Sequence, residues 1–466
     1  MAGLKETIYN IMPHPIKFVL LNIKGYLNRK QRYNKQFDLF LEEYKTLWNA
    51  DLKIIKQFQK EKLIVLLSEI LDHSDWYSAK MNVLGITKTE ILNNPFEVLT
   101  KIPILEKNDR KNNVESLLNN KRETAMVGHT SGTSGSPTLD YIDIESINAS
   151  FAFWKRFHHT IGIKPNTKQV RFSGRLIVDA KSSKPPFWMY NYFDNQLLMS
   201  TYHLTESNLG HYINKLNAFK PELLDGYPSA LYIVSKYINK HNLKLTFIPK
   251  AIAVTAETLY DYQREEIEKA FQCKVYNQYA SSEGSPFITE CTAGELHLNL
   301  DSGIFEFINI KGEPAKPGEI AKLVVTSFIN YRTPLVRYSI EDTVLLKSDN
   351  ALCSCGCQMP LIEKLIGRED DILWTEAKGF VGRMDTAYKG LVGINKGQII
   401  QESPSLVIIN LETDALFTKK METQFLNNLK ARLGDQIEYK LNKVDAIPLG
   451  ANGKFVAVKR KFKLNL

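Results

Sequence analysis

The chain has 466 residues, too many for one ordinary core, so two or three domains are expected. Its hydrophobic fraction of 44% is that of a globular protein, and no stretch of ~18 uninterrupted apolar residues is available to span a bilayer. The net charge of +9 is spread among interleaved acids, which predicts a basic solvated surface and no nucleic-acid partner; attraction to anionic ligands or anionic membrane is the alternative.

The first hundred residues read as helices. "HPIKFVLLNIKGYLNRKQRYNKQF" sets a short apolar run beside a basic cluster. Such a helix packs on its own domain or makes a weak peripheral contact with a membrane surface. "YNKQFDLFLEEYKTLWN" and "DLKIIKQFQKEKLIVLLSEIL" follow with 3.6-residue apolar spacing. From about Thr124 short β-rich runs alternate with helical ones: "KQVRFSG", "LGHYINKLNAFK", "LLDGYP", "SALYIVSKYINKH", "AIAVTA", "LYDYQREEIEKAF", "KVYNQYA". This alternation predicts α/β layers with a largely parallel sheet. "GIFEFINIKGEPAKPGEIAKLVVTSF" reads as strand, Pro/Gly turn and strand, an antiparallel element. After "GREDDIL" the remaining hundred or so residues suffice for a small α+β domain. No leader pattern is visible, so the expected location is cytoplasmic.

The run "GHTSGTSGSP", Gly128 to Pro137, makes poor helix and poor strand. Its glycines let backbone N–H groups converge, and its hydroxyls add donors, a combination suited to phosphate oxygens. It is not a Walker A loop, because Gly135 is followed by Ser136 and Pro137 rather than Lys and Ser/Thr. The bland alternative is a surface turn. His129 beside it is read as structural.

Cysteines form the other constellation. Cys353, Cys355 and Cys357 lie in "CSCGCQMP", and Cys291 shares "ECTAGELH" with His297. A reducing compartment disfavours disulfides. The set offers four or five soft ligands for a structural Zn²⁺; buried reduced thiols are the alternative. Cys273 has no visible partner.

Six stretches in order carry a resemblance. "TSGTSGSPT", "VTAETL", "YNQYASSEG", the pair "PGEIAKLVVTSF" and "YRTPLVRYSIEDTV", "GREDDIL" and "IPLGANGKFVAVKRK" resemble the ordered motifs of the adenylate-forming superfamily of acyl-CoA synthetases and adenylation domains. "PPFWMYNYFDNQLLMSTYHLT", "FKPELLDGYPSALYIVSKYI" and "CSCGCQMPLIEKLIGREDD" are similar to its phenylacetate-CoA ligase and CapK branch. The likeness covers most of the chain from about residue 100. It implies an α/β fold: a large ATP- and carboxylate-binding domain over 1–369, with 1–100 mostly helical, and a small mobile α+β domain over 370–466.

The resemblance implies ATP-dependent activation of a carboxylate through an acyl-adenylate, with transfer to CoA. Transfer to a sugar, amine or carrier protein, or a non-catalytic nucleotide-binding homologue, are the alternatives. Thr130, Ser131, Gly132, Thr133, Ser134 and Gly135 would hold the ATP phosphates. The family often has Lys where Thr138 stands, so some phosphate charge must be met elsewhere. Glu283 would help hold Mg²⁺. Ala256 and Glu257 would flank adenine, Tyr279 would stack near it, and Asp342 would accept from the ribose hydroxyls. The usual Thr-Gly-Asp is here Ile340-Glu341-Asp342, which puts the preceding turn in doubt. Arg337 would support the site structurally, Arg368 would reach ribose or phosphate, and Asp370 would be the hinge. Lys454 would bridge the carboxylate and the α-phosphate as the catalytic cation. Trp188, Tyr202 and His203 are candidates for the acid pocket, and core packing is their other reading. Some relatives carry a metal at the Cys/His positions. The family often has Arg at the place of Cys357, which leaves Cys291, His297, Cys353 and Cys355 as the zinc set.

Overall fold

A computed structural model describes residues 12–129, 139–179, 182–281, 283–309, 311–348, 352–368, 373–376, 379–381, 384–388, 391–448 and 455–462. It divides into two units. One comprises Met1–Gln169, Tyr190–Gln196 and Tyr276–Lys364; the other comprises Val170–Met189, Leu197–Val275 and Leu365–Leu466.

The first unit opens with the expected helices, His14–Arg32, Lys35–Trp48 and Leu52–His73. Asn34 starts the second by accepting the Phe37 N–H at 3.1 Å, which satisfies one orphan donor of the first turn. Leu52–His73 buries Ile55, Leu63, Leu66, Leu67 and Ile70 completely. The apolar spacing is therefore a packing face. Tyr44 stacks on Phe153 of helix Ile144–Thr160 at 3.8 Å, and Phe153 lies 5.2 Å from Phe287. The N-terminal helices thus share a core with the middle of the chain. Among the described residues no helix is long and apolar enough to cross a membrane.

Strands Gly303–Ile308, Ile320–Ser327, Tyr338–Leu346, Leu361–Arg368, Leu296–Leu298 and Ile288–Glu290 lie side by side in that order. The first pair is antiparallel, as the Pro/Gly turn predicts. Between Ile320–Ser327 and Tyr338–Leu346 the register shifts. Ser339 faces Val324 and Thr343 faces Lys322, so Ile340, Glu341 and Asp342 stand against Leu323 alone. Such a bulge re-aims side chains. A separate two-stranded ladder pairs Met126–His129 with Leu139–Ile142. The Gly/Ser/Thr loop, 130–138, connects these strands and lies outside the described residues.

The second unit carries the predicted alternation. Strands Leu223–Gly226 and Ala251–Thr255 pair in parallel, and helices Glu206–Phe219, Pro228–Lys240 and Asp261–Phe271 connect the series. Its C-terminal part is α+β. A sheet ordered Glu438–Lys443, Leu406–Thr413, Ile394–Ser403, Val458–Arg460 is joined to helix Lys419–Leu433 through a core that includes Ile399, Val407, Ile409, Phe425 and Leu429.

Candidate functional site

In the first unit, the bulge brings two predicted residues together. The Tyr279 hydroxyl donates to Asp342 Oδ2 at 2.6 Å. Burial and the Asp342 carboxylate raise that hydroxyl well above its usual pKa, so it stays a donor. Glu341, in the position where the family has glycine, adopts a left-handed backbone at φ 65° and is paired with Lys107. The departure from the family pattern is thus accommodated: the chain makes the glycine-type turn with a glutamate. Arg337, also left-handed, grips both oxygens of Glu306 and donates to the carbonyls of Thr100 and Ile102. These bonds tie strand to helix and fit the structural role expected of it.

Glu283 follows the strand Val275–Tyr279. Its negative charge raises the pKa of Asp140, Tyr279 and Tyr338. Gly284 has φ +81°, and a Cβ there would lie 3.1 Å from the Asn330 Cβ; glycine permits both the turn and the close approach. Asn330 and Thr333 donate to the Tyr141 carbonyl at 3.2 and 2.8 Å. These bonds fasten the ladder that flanks the Gly/Ser/Thr loop.

Asp140 and Arg110 were not singled out by their sequence context. They form an ion pair whose side chains are 1% and 2% exposed. Burial pushes the Asp140 carboxyl up to about 7 against the pull of Arg110, and Glu283 adds to the rise. The only available signal was a charge directly after a glycine-rich loop, in an otherwise apolar strand. Asp140 and Glu283 together offer oxygen donors of the kind a hard divalent cation takes.

In the second unit, Ala256 stands at φ 71°, a costly conformation for a residue with a Cβ. Glu257 beside it accepts two backbone N–H groups. One is Ser229 at 3.1 Å, in the first turn of helix Pro228–Lys240, and the other is Phe455 at 2.9 Å. Phe455 follows Lys454 in the chain, so the C-terminal motif is fastened to the "VTAETL" segment. Arg171 and Arg175, also missed by the sequence reading, hold down the raised pKa of Tyr227, which burial drives up and Glu257 raises further.

The aromatic candidates have partners in the fold. The ring nitrogens of His203 contact Ser200 Oγ at 2.8 Å and the Asp179 carbonyl at 3.1 Å, and the ring stacks on Phe187 at 4.8 Å. Burial lowers its pKa. Tyr202 donates to the Gly174 carbonyl at 3.0 Å, and Trp188 meets Tyr212 edge-on at 6.1 Å. Thr130 to Gly135, Asp370 and Lys454 lie outside the described residues, as does the side chain of Arg368.

The cysteines form a second centre, within the first unit. Ligand atoms of Cys291, His297, Cys353 and Cys355 all lie within 4.8 Å of one another. Cys291 Sγ is 3.5 Å from Cys353 Sγ, and Cys355 Sγ is 3.4 Å from His297 Nε2. A tetrahedral zinc with bonds of about 2.0–2.3 Å needs ligand separations of about 3.3–3.8 Å; these two pairs meet it, and the whole set lies within 4.8 Å. The His297 Nδ1 sits 3.0 Å from the Met359 carbonyl, an arrangement that turns Nε2 toward the sulfurs. The Cys355 N–H points at Cys353 Sγ at 3.5 Å. Cys357 is buried with Trp48, Ile55 and Met359 and stands outside the set of four.

Comparison with known proteins identifies the family. Residues 373–461 match the family model described as the CapK C-terminal domain. Protein CapK of Staphylococcus aureus is 34% identical over 98% of both chains. This chain belongs to the CapK family. That family lies in the phenylacetate-CoA ligase branch of the adenylate-forming superfamily. A phenylacetate-coenzyme A ligase from Thermus thermophilus is 22% identical over 72% of this chain and 74% of its own. An indoleacetate–lysine synthetase from Pseudomonas savastanoi is 27% identical over 56% of this chain and 66% of its own. Among solved structures, a 2-hydroxyisobutyryl-CoA ligase in a postadenylation state superimposes with a TM-score of 0.66 at 16% identity, over 86% of this chain and 88% of that one. At that identity the likeness speaks for the fold of this CapK relative.

Proposed function

We propose that the chain is an ATP-dependent ligase that activates a small carboxylic acid as an acyl-adenylate and passes the acyl group to CoA. A carboxylate oxygen attacks the α-phosphorus, the bond to the β-phosphate breaks, and pyrophosphate leaves with the electron pair. The thiol sulfur then attacks the acyl carbon and AMP leaves. The first step brings anions together, so its catalysis is charge stabilisation and alignment.

The observation that carries this reading is the Glu257 carboxylate. It holds the N–H of Phe455 and so fixes the residue after Lys454 on the segment assigned to adenine. In this reading Lys454 supplies the transition-state cation, and Thr130 to Gly135 hold the phosphates. Arg368 reaches ribose or phosphate. Asp342, oriented by the Tyr279 hydroxyl, accepts from the ribose, while the tyrosine ring face serves the base. Glu283, with Asp140 close by, holds Mg²⁺. Trp188, Tyr202 and His203 belong to the acid side through their ring faces, the Tyr202 hydroxyl and the His203 ring nitrogens being engaged in the fold. The four Cys/His ligands hold a structural zinc.

A second reading differs in the acceptor. The indoleacetate–lysine synthetase named above couples, by its name, an acid to an amine, and a CapK relative that handed its acyl group to an amine, a sugar or a carrier protein would need the same adenylating residues. Pyrophosphate release screened over aryl, fatty and amino acids tests the shared first step. Acid-dependent release is expected, and its absence over the whole panel would remove the ligase reading. Addition of CoA, with mass detection of a thioester, separates the two acceptors.

A further inference from the structure

We propose that the N-terminal helix His14–Arg32 docks this protein, in the plane of the interface, onto an anionic lipid surface. One face of the helix is fully engaged. Asn22 donates to the Tyr190 carbonyl at 3.0 Å and accepts from the Tyr192 N–H at 2.9 Å. Phe18 meets Tyr192 edge-on at 6.0 Å, Arg29 bonds the Phe193 carbonyl, and Arg32 pairs with Asp194 at 3.9 Å. Gly25 lets the backbone close on Asn191, where a Cβ would come within 2.5 Å of Oδ1. Positions 18, 22, 25, 29 and 32 form a single stripe at helical spacing.

The opposite stripe is apolar and faces solvent. Ile16, Val19, Leu20, Ile23, Tyr26 and Leu27 are 40–59% exposed. They recur at the i, i+3, i+4, i+7 spacing of a buried helix face, yet among the described residues they keep this large exposure. A contiguous apolar stripe of this kind marks an interaction surface, unlike scattered exposed hydrophobics.

Charge selects the occupant. The helix contains Lys17, Lys24, Arg29, Lys30 and Arg32 and no acid. Lys24 lies beside the stripe, and Lys30 lies at its C-terminal end with its ammonium 4.9 Å from the Tyr26 ring; both are exposed. Apolar residues with cations at their margin and an aromatic at the boundary suit a lipid headgroup layer that carries negative charge. A second copy of the chain fits poorly. A twofold interface sets the same surface against itself, and here it would set the exposed Lys24 and Lys30 of one copy against those of the other, on a helix that carries no acid. The helix does not cross the bilayer; its other face remains bonded to the protein.

The test is sedimentation of the full chain with vesicles of phosphatidylcholine alone and of phosphatidylcholine with about a third phosphatidylglycerol. Wild type should sediment with the anionic vesicles, less so at high salt, and remain in solution with the neutral ones. Ile23→Glu with Leu27→Glu, and separately Lys24→Glu with Lys30→Glu, should each weaken partitioning by about tenfold or more. These side chains are exposed, so far-UV circular dichroism and the melting temperature should not change. Four results would overturn the proposal. These are no sedimentation of wild type, equal sedimentation with both vesicles, unaltered sedimentation of the variants, and a vesicle-free dimer that Ile23→Glu dissolves. The last would assign the face to a second copy.

Discussion

Glu341 and Asp140 show how single residues around the proposed nucleotide site hold conformations and charges that a folded chain ordinarily avoids. A side chain at φ 65° carries a cost of about 1–2 kcal/mol relative to glycine. The Lys107 pair offsets only part of it, because both side chains are partly exposed and such pairs contribute about 0–1 kcal/mol. Glu341→Gly and Glu341→Ala both remove the pair, but only glycine relaxes the backbone. The glycine variant should therefore be the more stable of the two by about 1 kcal/mol in urea unfolding; equal stabilities would mean that the turn is not left-handed. Asp140 makes a claim about pH. Its unfolded carboxyl ionises near pH 3.9, whereas the folded one titrates at about 7. Between those values the folded chain holds the extra proton, so this residue's contribution to stability is complete below about pH 4. It is lost as pH rises to about 7, at up to about 1.4 kcal/mol per unit. Asp140→Asn cannot lose that proton. The variant should gain on wild type as pH rises through this window, read as a difference in melting temperature, and a difference constant with pH would contradict the assignment.

At the scale of elements, the cysteine loops make the clearest case. Cys291 and His297 flank one turn, and Cys353 and Cys355 belong to another, so a metal held by all four ties two loops together. Elemental analysis of protein carrying no histidine tag should give about one zinc per chain. Cys353→Ser should lose it and Cys357→Ser should keep it; the reverse pattern would exchange the roles of these two cysteines. The division between Cys355 and Cys357 was beyond the reach of spacing, since C-x-C-G-C permits either ligand. The helical first hundred residues, the β/α alternation and the antiparallel "GIFEFI"–"IAKLVVTS" pair were legible because periods of 3.6 and 2 reflect which face is buried. The bulge that carries Asp342 was not legible, because a register shift depends on both strands, and each strand taken alone is regular. Nor was the Arg110–Asp140 pair, whose partners are thirty positions apart and meet only in the folded unit.

At the scale of the whole molecule, the proposed ligase has to serve two half-reactions, and the family resemblance implies a turn of residues 370–466 about Asp370 between them. The contacts that fasten this segment to the helices and strands of its own unit are of a kind that can open. Glu257 holds one N–H of Phe455. Lys236 donates to the Ile394 carbonyl and to Asn395, each at 2.7 Å, and its burial lowers its pKa, so the docked position carries a desolvation cost that undocking returns. Tyr262 meets Tyr388 at 5.7 Å. In the proposed reaction such a docked arrangement suits adenylation, the step in which Lys454 would act. Lys454→Ala should then reduce acid-dependent pyrophosphate release by about 10²–10³. Acyl transfer started from preformed acyl-adenylate should be nearly unaffected. Asp370→Pro fixes φ near −65° and restricts the pivot, so one half-reaction should survive and the other fail, whichever orientation is trapped. Equal loss of both in a folded Asp370→Pro protein would remove the hinge. Unchanged pyrophosphate release in Lys454→Ala would remove the lysine from the first half-reaction.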